Sequence, residues 1–148
     1  MRVAVLMGSA SDRDKMAPAL AMLERFGVGA TEHVLSAHRN PDEVGDFARR
    51  ARDAGYAALI CGAGMAAHLA GVVAAHTTLP VVGVPLSGGP LHGVDALYAT
   101  VQMPSGVPVA TVAVDGAANA AILVVEMLAI ADAELVKKLE EFRAGGAR

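Results

Sequence analysis

At 148 residues the chain is close to the size that one hydrophobic core can organise, so residues 1–148 are expected to form a single domain. A formal net charge of −3 with two Tyr and three Phe excludes a basic, aromatic-studded nucleic-acid surface, and no apolar stretch reaches about 18 residues before Gly, Pro or His interrupts it, which excludes a membrane helix. With no charged-then-apolar leader ahead of Val3 and with Cys61 as the single cysteine, a cytoplasmic, reducing setting is expected and no intrachain disulfide can form.

The first element is an uninterrupted apolar run over residues 3–7 that stops at Gly8, the mark of a strand buried on both faces. From Ser11 the period changes. Met16, Ala19, Leu20, Leu23 and Phe26 recur at three- and four-residue steps until Gly27, which predicts an amphipathic helix with a glycine end. A second strand is predicted around residues 33–35. Asn40 and Pro41 then read as a helix cap and first turn, with Asp42 and Glu43 complementing the helix dipole and Phe47, Ala51 and Ala54 facing inward before Gly55.

Residues 57–61 and 81–84 predict a third and a fourth strand, the first closed by Gly62, Ala63 and Gly64 and the second by Pro85. Between them, residues 65–75 predict a helix apolar on nearly every side, with His68 as its main polar member. A sheet covers one side of such a helix, so its other side is expected against a second copy of the chain. Composition points the same way: 54% of the residues are apolar but 3% aromatic, and the excess lies in Ala and Val, so a homo-oligomer is expected. Residues 94–103 predict a short helix and 109–114 a fifth strand. Residues 117–142 predict a long closing helix, with Asp132 a candidate second cap where its character turns from apolar to charged. Residues 144–148 are expected to fray. Strands alternating with helices imply a parallel sheet with right-handed crossovers and helices on both faces, and ligands collect at the carboxyl ends of such strands.

Three strand-to-helix turns carry candidate chemistry. The first holds Gly8, Ser9, Ser11 and Asp12. Backbone N–H groups at a helix start attract anions, Gly8 lets a phosphate approach the chain, and the two hydroxyls can donate further hydrogen bonds. Asp12 would repel a phosphate and is read instead as a partner for ribose hydroxyls. Plain helix capping by Ser11 or Asp12 accounts for the same residues. The second turn holds Ser36, Ala37, His38 and Arg39, which the topology would set on the same rim. Histidine titrates near neutral pH and can both give and take a proton in one cycle, while Arg39 stays charged and can pair with phosphate or carboxylate. A loop histidine with no task beside a solvated arginine is the alternative.

The third turn, Gly62, Ala63, Gly64 and on through His68 and Leu69, offers backbone N–H groups and a dry wall suited to a small carboxylate or carbon dioxide. Its glycines would serve close packing equally well, and a histidine such as His68 on an apolar helix is more often a satisfied buried residue than a catalyst. Cys61 reads as strand-end packing. His33, His76 and His92 lack paired ligands at metal-binding spacing, so no metal is expected. Neither a Walker loop nor a G-x-G-x-x-G sequence occurs, so nucleoside triphosphate and dinucleotide use lack their fingerprints.

Taken together, the first two turns, the third with Ala66, Ala67, His68 and Leu69, and the later run Gln102, Met103, Pro104, Gly106, Val107, Pro108 and Val109 closely resemble the 5-(carboxyamino)imidazole ribonucleotide mutase family, PurE, of purine biosynthesis. The resemblance runs in order from about Val3 to Leu128. It implies a flavodoxin-like three-layer α/β/α sandwich with a five-stranded parallel sheet, assembled as a homo-octamer and needing neither metal nor organic cofactor. The ligand would be a small ribonucleotide. Position by position, His38 matches the family's catalytic histidine, Ser9, Asp12 and Arg39 match its substrate-binding residues, and residues 62–69 match the loop that borders the carboxylate. The family's second branch carboxylates aminoimidazole ribonucleotide with free carbon dioxide and tends to carry lysine at the position of Arg39, so Arg39 with Gly62, Ala63 and Gly64 favours the mutase branch.

Met65 departs from a common glycine, Ala70 from a common proline, Asn40 from a common threonine and Arg13 from a common tryptophan, and the segment from Val114 to Ala117 is shorter than usual. Residues 87–91 are glycine-rich and read either as a mobile cover or as a plain surface loop. Two rival functions are a carboxylase of the second branch and a non-catalytic nucleotide-phosphate sensor, since this fold hosts many functions.

Overall fold

The computed structural model describes residues 2–147. Five strands, β1 (Arg2–Met7), β2 (Gly29–Val34), β3 (Tyr56–Gly64), β4 (Val81–Leu86) and β5 (Ala110–Thr111), form one sheet in the order β2-β1-β3-β4-β5. Every neighbouring pair is parallel. Around it pack α1 (Arg13–Phe26), α2 (Pro41–Arg50), α3 (Leu69–His76), α4 (Val94–Val101), α5 (Ala117–Ala129) and α6 (Ala133–Ala144). The strand order is that of the flavodoxin-like sandwich, and its direction reverses between β1 and β3, where a crevice opens at the carboxyl edge.

The side chains of β1 alternate as a pleated strand requires. Val3, Val5 and Met7 enter a core shared with α1, α5 and α6, while Ala4 and Leu6 enter a second core shared with α2 and α3. This two-sided burial is why the strands read as continuous apolar runs. Gly27 ends α1 in the left-handed conformation (φ 74°) and donates its N–H to the carbonyls of Glu24 and Leu23, as predicted for a glycine stop.

Strand β2 begins at Gly29, well before the predicted 33–35, and β3 runs on through Gly64, past the expected close at Gly62. Four further features differ from the sequence reading. The helix expected over 65–75 begins at Leu69; Met65 takes φ 52°, and Ala67 and His68 donate to the carbonyls of Met65 and Ala66, so residues 65–68 are a turn that brings the chain over the sheet edge. The long closing helix is two helices. Asp132 has extended backbone, and its carboxylate accepts from the N–H groups of Glu134 and Leu135 at 3.0 and 3.4 Å, so the second cap terminates one helix and starts the next. Asn40 holds the cap position of α2 but makes no side-chain capping bond. The fifth strand is two residues long: the carbonyls of Gly83 and Pro85 accept from Val112 and Asp115, leaving an extra residue on the β5 side, because Pro85 has no N–H to continue the ladder.

Beyond α6 the chain turns back, with Ala147 donating to Phe142 and Gly146 (φ 87°) to Arg143, the bonding of a Schellman cap. Arg148 of the expected tail lies outside the described residues. Helix α3 exposes no large apolar side chain, as Leu69, Ala70 and Val73 are buried. The uncovered apolar stripe belongs to α4 instead, where Val94, Tyr98 (63% exposed) and Val101 recur on one face.

Candidate functional site

Four strand-end segments converge on a crevice of about 460 Å³. Behind β1, the Gly8 N–H donates to the Gly62 carbonyl at 3.2 Å and so extends the β1–β3 ladder. Ser9 then leaves the sheet with extended backbone, its hydroxyl accepting from the Ser11 N–H at 3.3 Å and lying 2.8 Å from the Ser11 hydroxyl. A single 3-10 turn follows at Ala10–Asp12. Partial burial pushes the Asp12 carboxyl above its ordinary value, against the opposing pull of a hydrogen bond from the Ser9 backbone and the charge of Lys15.

Behind β2, Leu35 donates to the Met7 carbonyl at 2.9 Å, which carries strand pairing up to the second turn. The Ser36 hydroxyl accepts from the Arg39 N–H at 3.2 Å, and Asn40 N–H reaches the Ser36 carbonyl at 2.8 Å. This knot projects His38 and Arg39, both exposed, toward the crevice. His38 Nε2 lies 2.7 Å from His68 Nδ1, with the rings edge to face at 4.8 Å. One proton occupies that bond, donated by one ring and accepted by the other; two fully protonated rings would oppose N–H to N–H. His68 is exposed and not buried within an apolar helix: it stands at the start of α3 without a side-chain capping bond and touches the other histidine of the rim.

Gly8, Ser9, Ser11, Asp12, Ser36, Ala37, His38, Arg39, Ala63, Gly64, His68 and Leu69 all line this crevice. Gly62 does not. Its place is inside β3, where a Cβ would run into the Met16 thioether of α1, so its missing side chain serves helix-on-sheet packing. Burial pushes the Cys61 thiol far up, so it stays protonated and inert. Lys15, Met65, Ala66, Ser87, Gly88 and Gly89 complete the lining. Of these Lys15 is the residue the sequence reading missed. Its signal is weak but present: it stands three residues after Asp12, on the same face of the incoming helix.

A larger cavity, about 710 Å³, lies along β2 and α2. There His33 is held by Thr31 and Tyr56 and stacks near Phe47; burial, then the charge of Arg2, lowers its pKa. The strand-end crevice has what that cavity lacks: paired imidazoles, serine hydroxyls and a glycine-lined wall. Among the described residues no three His, Cys, Asp or Glu side chains form a metal-holding group, and no helix is long and apolar enough to cross a membrane.

A family model described as AIR carboxylase matches residues 2–148. The N5-carboxyaminoimidazole ribonucleotide mutase of Pyrococcus abyssi is 48% identical over 142 residues, spanning 96% of this chain and 82% of that protein. The phosphoribosylaminoimidazole carboxylase of Candida glabrata is 51% identical over 140 residues, which is 95% of this chain but 25% of that longer protein. Among solved structures, Treponema denticola PurE superposes with a TM-score of 0.90 at 25% identity, covering 99% of this chain and 91% of the other.

Proposed function

The chain belongs to the AIR carboxylase family, and from that premise we propose that it is a mutase of purine biosynthesis, converting 5-(carboxyamino)imidazole ribonucleotide to 4-carboxy-5-aminoimidazole ribonucleotide. The observation that carries this reading is the His38 imidazole, held 2.7 Å from His68 at a crevice mouth shared by the serine turn and the glycine loop. The anionic ribotide needs cations, hydroxyls and free N–H groups; Arg39, Ser9, Ser11 and the turn after Gly8 are grouped to supply them.

The chemistry asks for one proton moved twice. Protonated His38 gives its proton to the exocyclic nitrogen as the nitrogen–carbon bond of the carbamate breaks, and carbon dioxide leaves with the carbonyl carbon. The aminoimidazole left behind is nucleophilic at its ring carbon, as an enamine is. If the gas stays in the crevice, the ring carbon attacks it, and neutral His38 removes the ring proton to restore aromaticity. Protons, charge and carbon dioxide balance over the cycle, so no metal or organic cofactor is called for. His68 orients the imidazole that does this work and can hold the shared proton between the steps. Ala63, Gly64 and Leu69 present no ionisable group where the carbon dioxide would wait.

In this reading the enzyme works in the cytoplasm as a homo-octamer, and the α4 stripe of Val94, Tyr98 and Val101, with Ile130 88% exposed between α5 and α6, supplies apolar surface for copies to cover. A second reading, carboxylation of aminoimidazole ribonucleotide by free carbon dioxide, is favoured by the likeness to the Candida glabrata carboxylase over nearly the whole of this chain. Supplying the purified protein with either the carbamate or the aminoimidazole plus bicarbonate, while following product absorbance, separates the two. The mutase turns over the first at substrate concentrations where the second gives no product; the opposite pattern makes it a carboxylase.

A further inference from the structure

Lys15 leaves the first turn of α1 and reaches the segment after β4, where its ammonium donates to the carbonyl of Ser87 and, at 2.8 Å, to the Ser87 hydroxyl. That hydroxyl donates in turn to Asp115 at 2.5 Å, and the Ser87 N–H donates to the other oxygen of the same carboxylate at 2.8 Å. The loop closes on itself, since Lys15 and Asp115 stand 4.0 Å apart. Three segments distant in sequence, α1, the chain after β4 and the turn before α5, therefore meet on Ser87. Asp115 is itself fixed: it adopts φ 57° and donates its N–H to the Pro85 carbonyl at 2.9 Å. Burial works to raise its pKa but is outweighed by the two hydrogen bonds from Ser87 and the charge of Lys15, so the carboxyl stays below its ordinary value.

The two glycines after Ser87 have little packed against them. A Cβ added at Gly88 would meet nothing within 4 Å, and Gly89 (φ 60°) has the flexible Met65 thioether about 3.3 Å from where its Cβ would be. Two consecutive glycines carry the largest backbone entropy of any pair, yet both line the crevice. Their placement rests on the anchor immediately before them.

We propose that Lys15 is a positioning residue that holds the 87–89 wall against the bound ribotide, with Asp115 as the counter-charge that keeps the ammonium on Ser87 instead of on the ligand's anionic groups. The contact with ligand is made by the glycine wall, and Lys15 acts through it. This rests on the mutase reading for its substrate but not for its structural half. Both Lys15 and Asp115 are partly solvent-exposed, so replacing either leaves the two cores untouched.

The test compares Lys15→Met, Asp115→Asn and the double variant with the parent. Hydrogen exchange in the peptide spanning 86–92, read without ligand, is expected to quicken on the order of tenfold in Lys15→Met. On the carbamate substrate KM is expected to rise about tenfold with kcat within about threefold, Asp115→Asn to move KM in the same direction, and the double variant to be no worse than Lys15→Met. Unchanged exchange in Lys15→Met overturns the proposal. So does a split in which Asp115→Asn tightens and Lys15→Met weakens the binding of ribose 5-phosphate, because that would make Lys15 a direct partner of the ligand phosphate. A parent protein with no turnover on the carbamate would sink the mutase reading alone, and the exchange arm would still decide the role of Lys15.

Discussion

Replacing Gly62 by Ala separates packing from ligand contact at the glycine loop. A Cβ at this position would collide with the Met16 sulphur and come within 2.9 and 3.0 Å of its Cε and Cγ, and Met16 is fully buried. Forcing one carbon into a filled core costs about 1–3 kcal/mol, and the flexible thioether that must yield places the expected cost in the lower half of that span. An unfolding entropy of about 2.1 cal/mol/K per residue, taken over the chain, corresponds to roughly 0.3 kcal/mol per degree, so Tm should fall by about 3–6 °C. Thermal melts at one fixed protein concentration read the packing cost, and KM on the carbamate, which should stay within about twofold, reads the ligand contact. Combining Gly62→Ala with Met16→Ala should cost less than the two singles together, since the added methyl occupies part of the space the methionine leaves. A Gly62→Ala protein that melts like its parent but loses ligand affinity would refute the reasoning and return Gly62 to the binding surface.

His38→Asn should keep ligand affinity within about tenfold while kcat drops by about 10²–10⁴, because the proton carrier is gone and the anion cradle is intact; turnover retained in that variant discards the mechanism. Arg39→Ala should weaken ribotide binding by about 10–100-fold, the worth of a charge-assisted hydrogen bond, and unchanged binding by calorimetry would remove its assigned contact. Asp12→Asn should raise Tm at neutral pH: a carboxyl whose folded pKa lies above 3.8 penalises the folded state while ionised, so the gain should be full above the folded pKa and vanish as pH falls below 3.8. A Tm difference that persists at lower pH would contradict this. Asp132→Ala removes the cap between α5 and α6 and should cost about 1 kcal/mol, seen as a Tm lowered by about 2–4 °C with KM unchanged.

Much of the site is legible in the sequence because its first and third turns directly succeed the buried strands β1 and β3, while the second follows the partly exposed edge strand β2. Residues 3–7 and 57–61 announce strands by apolar continuity, and Gly8 and Gly62 mark where they stop or tighten, so Ser9, His38 and Ala63 could be set on one rim from topology alone. The failures have local causes. Residues 65–68 read as helix because Met and Ala favour it, whereas the chain must first turn over the sheet edge. Gly62 reads as a loop glycine because it opens the run Gly62, Ala63 and Gly64 that matches the family's loop, while the packing constraint on it comes from Met16 on another element.

The order and kind of the elements, and the types of residue waiting at the strand ends, were determined by the linear chain, because hydrophobic period, capping residues and glycine stops act over a few residues. Pairings between elements were decided by the folded sheet. His38 meets His68 across 30 positions, Lys15 meets Ser87 across 72 and Ser87 meets Asp115 across 28; such contacts depend on strand order and register, which bring four separate strand ends to one edge, and no local pattern in the chain records which side chain will face which.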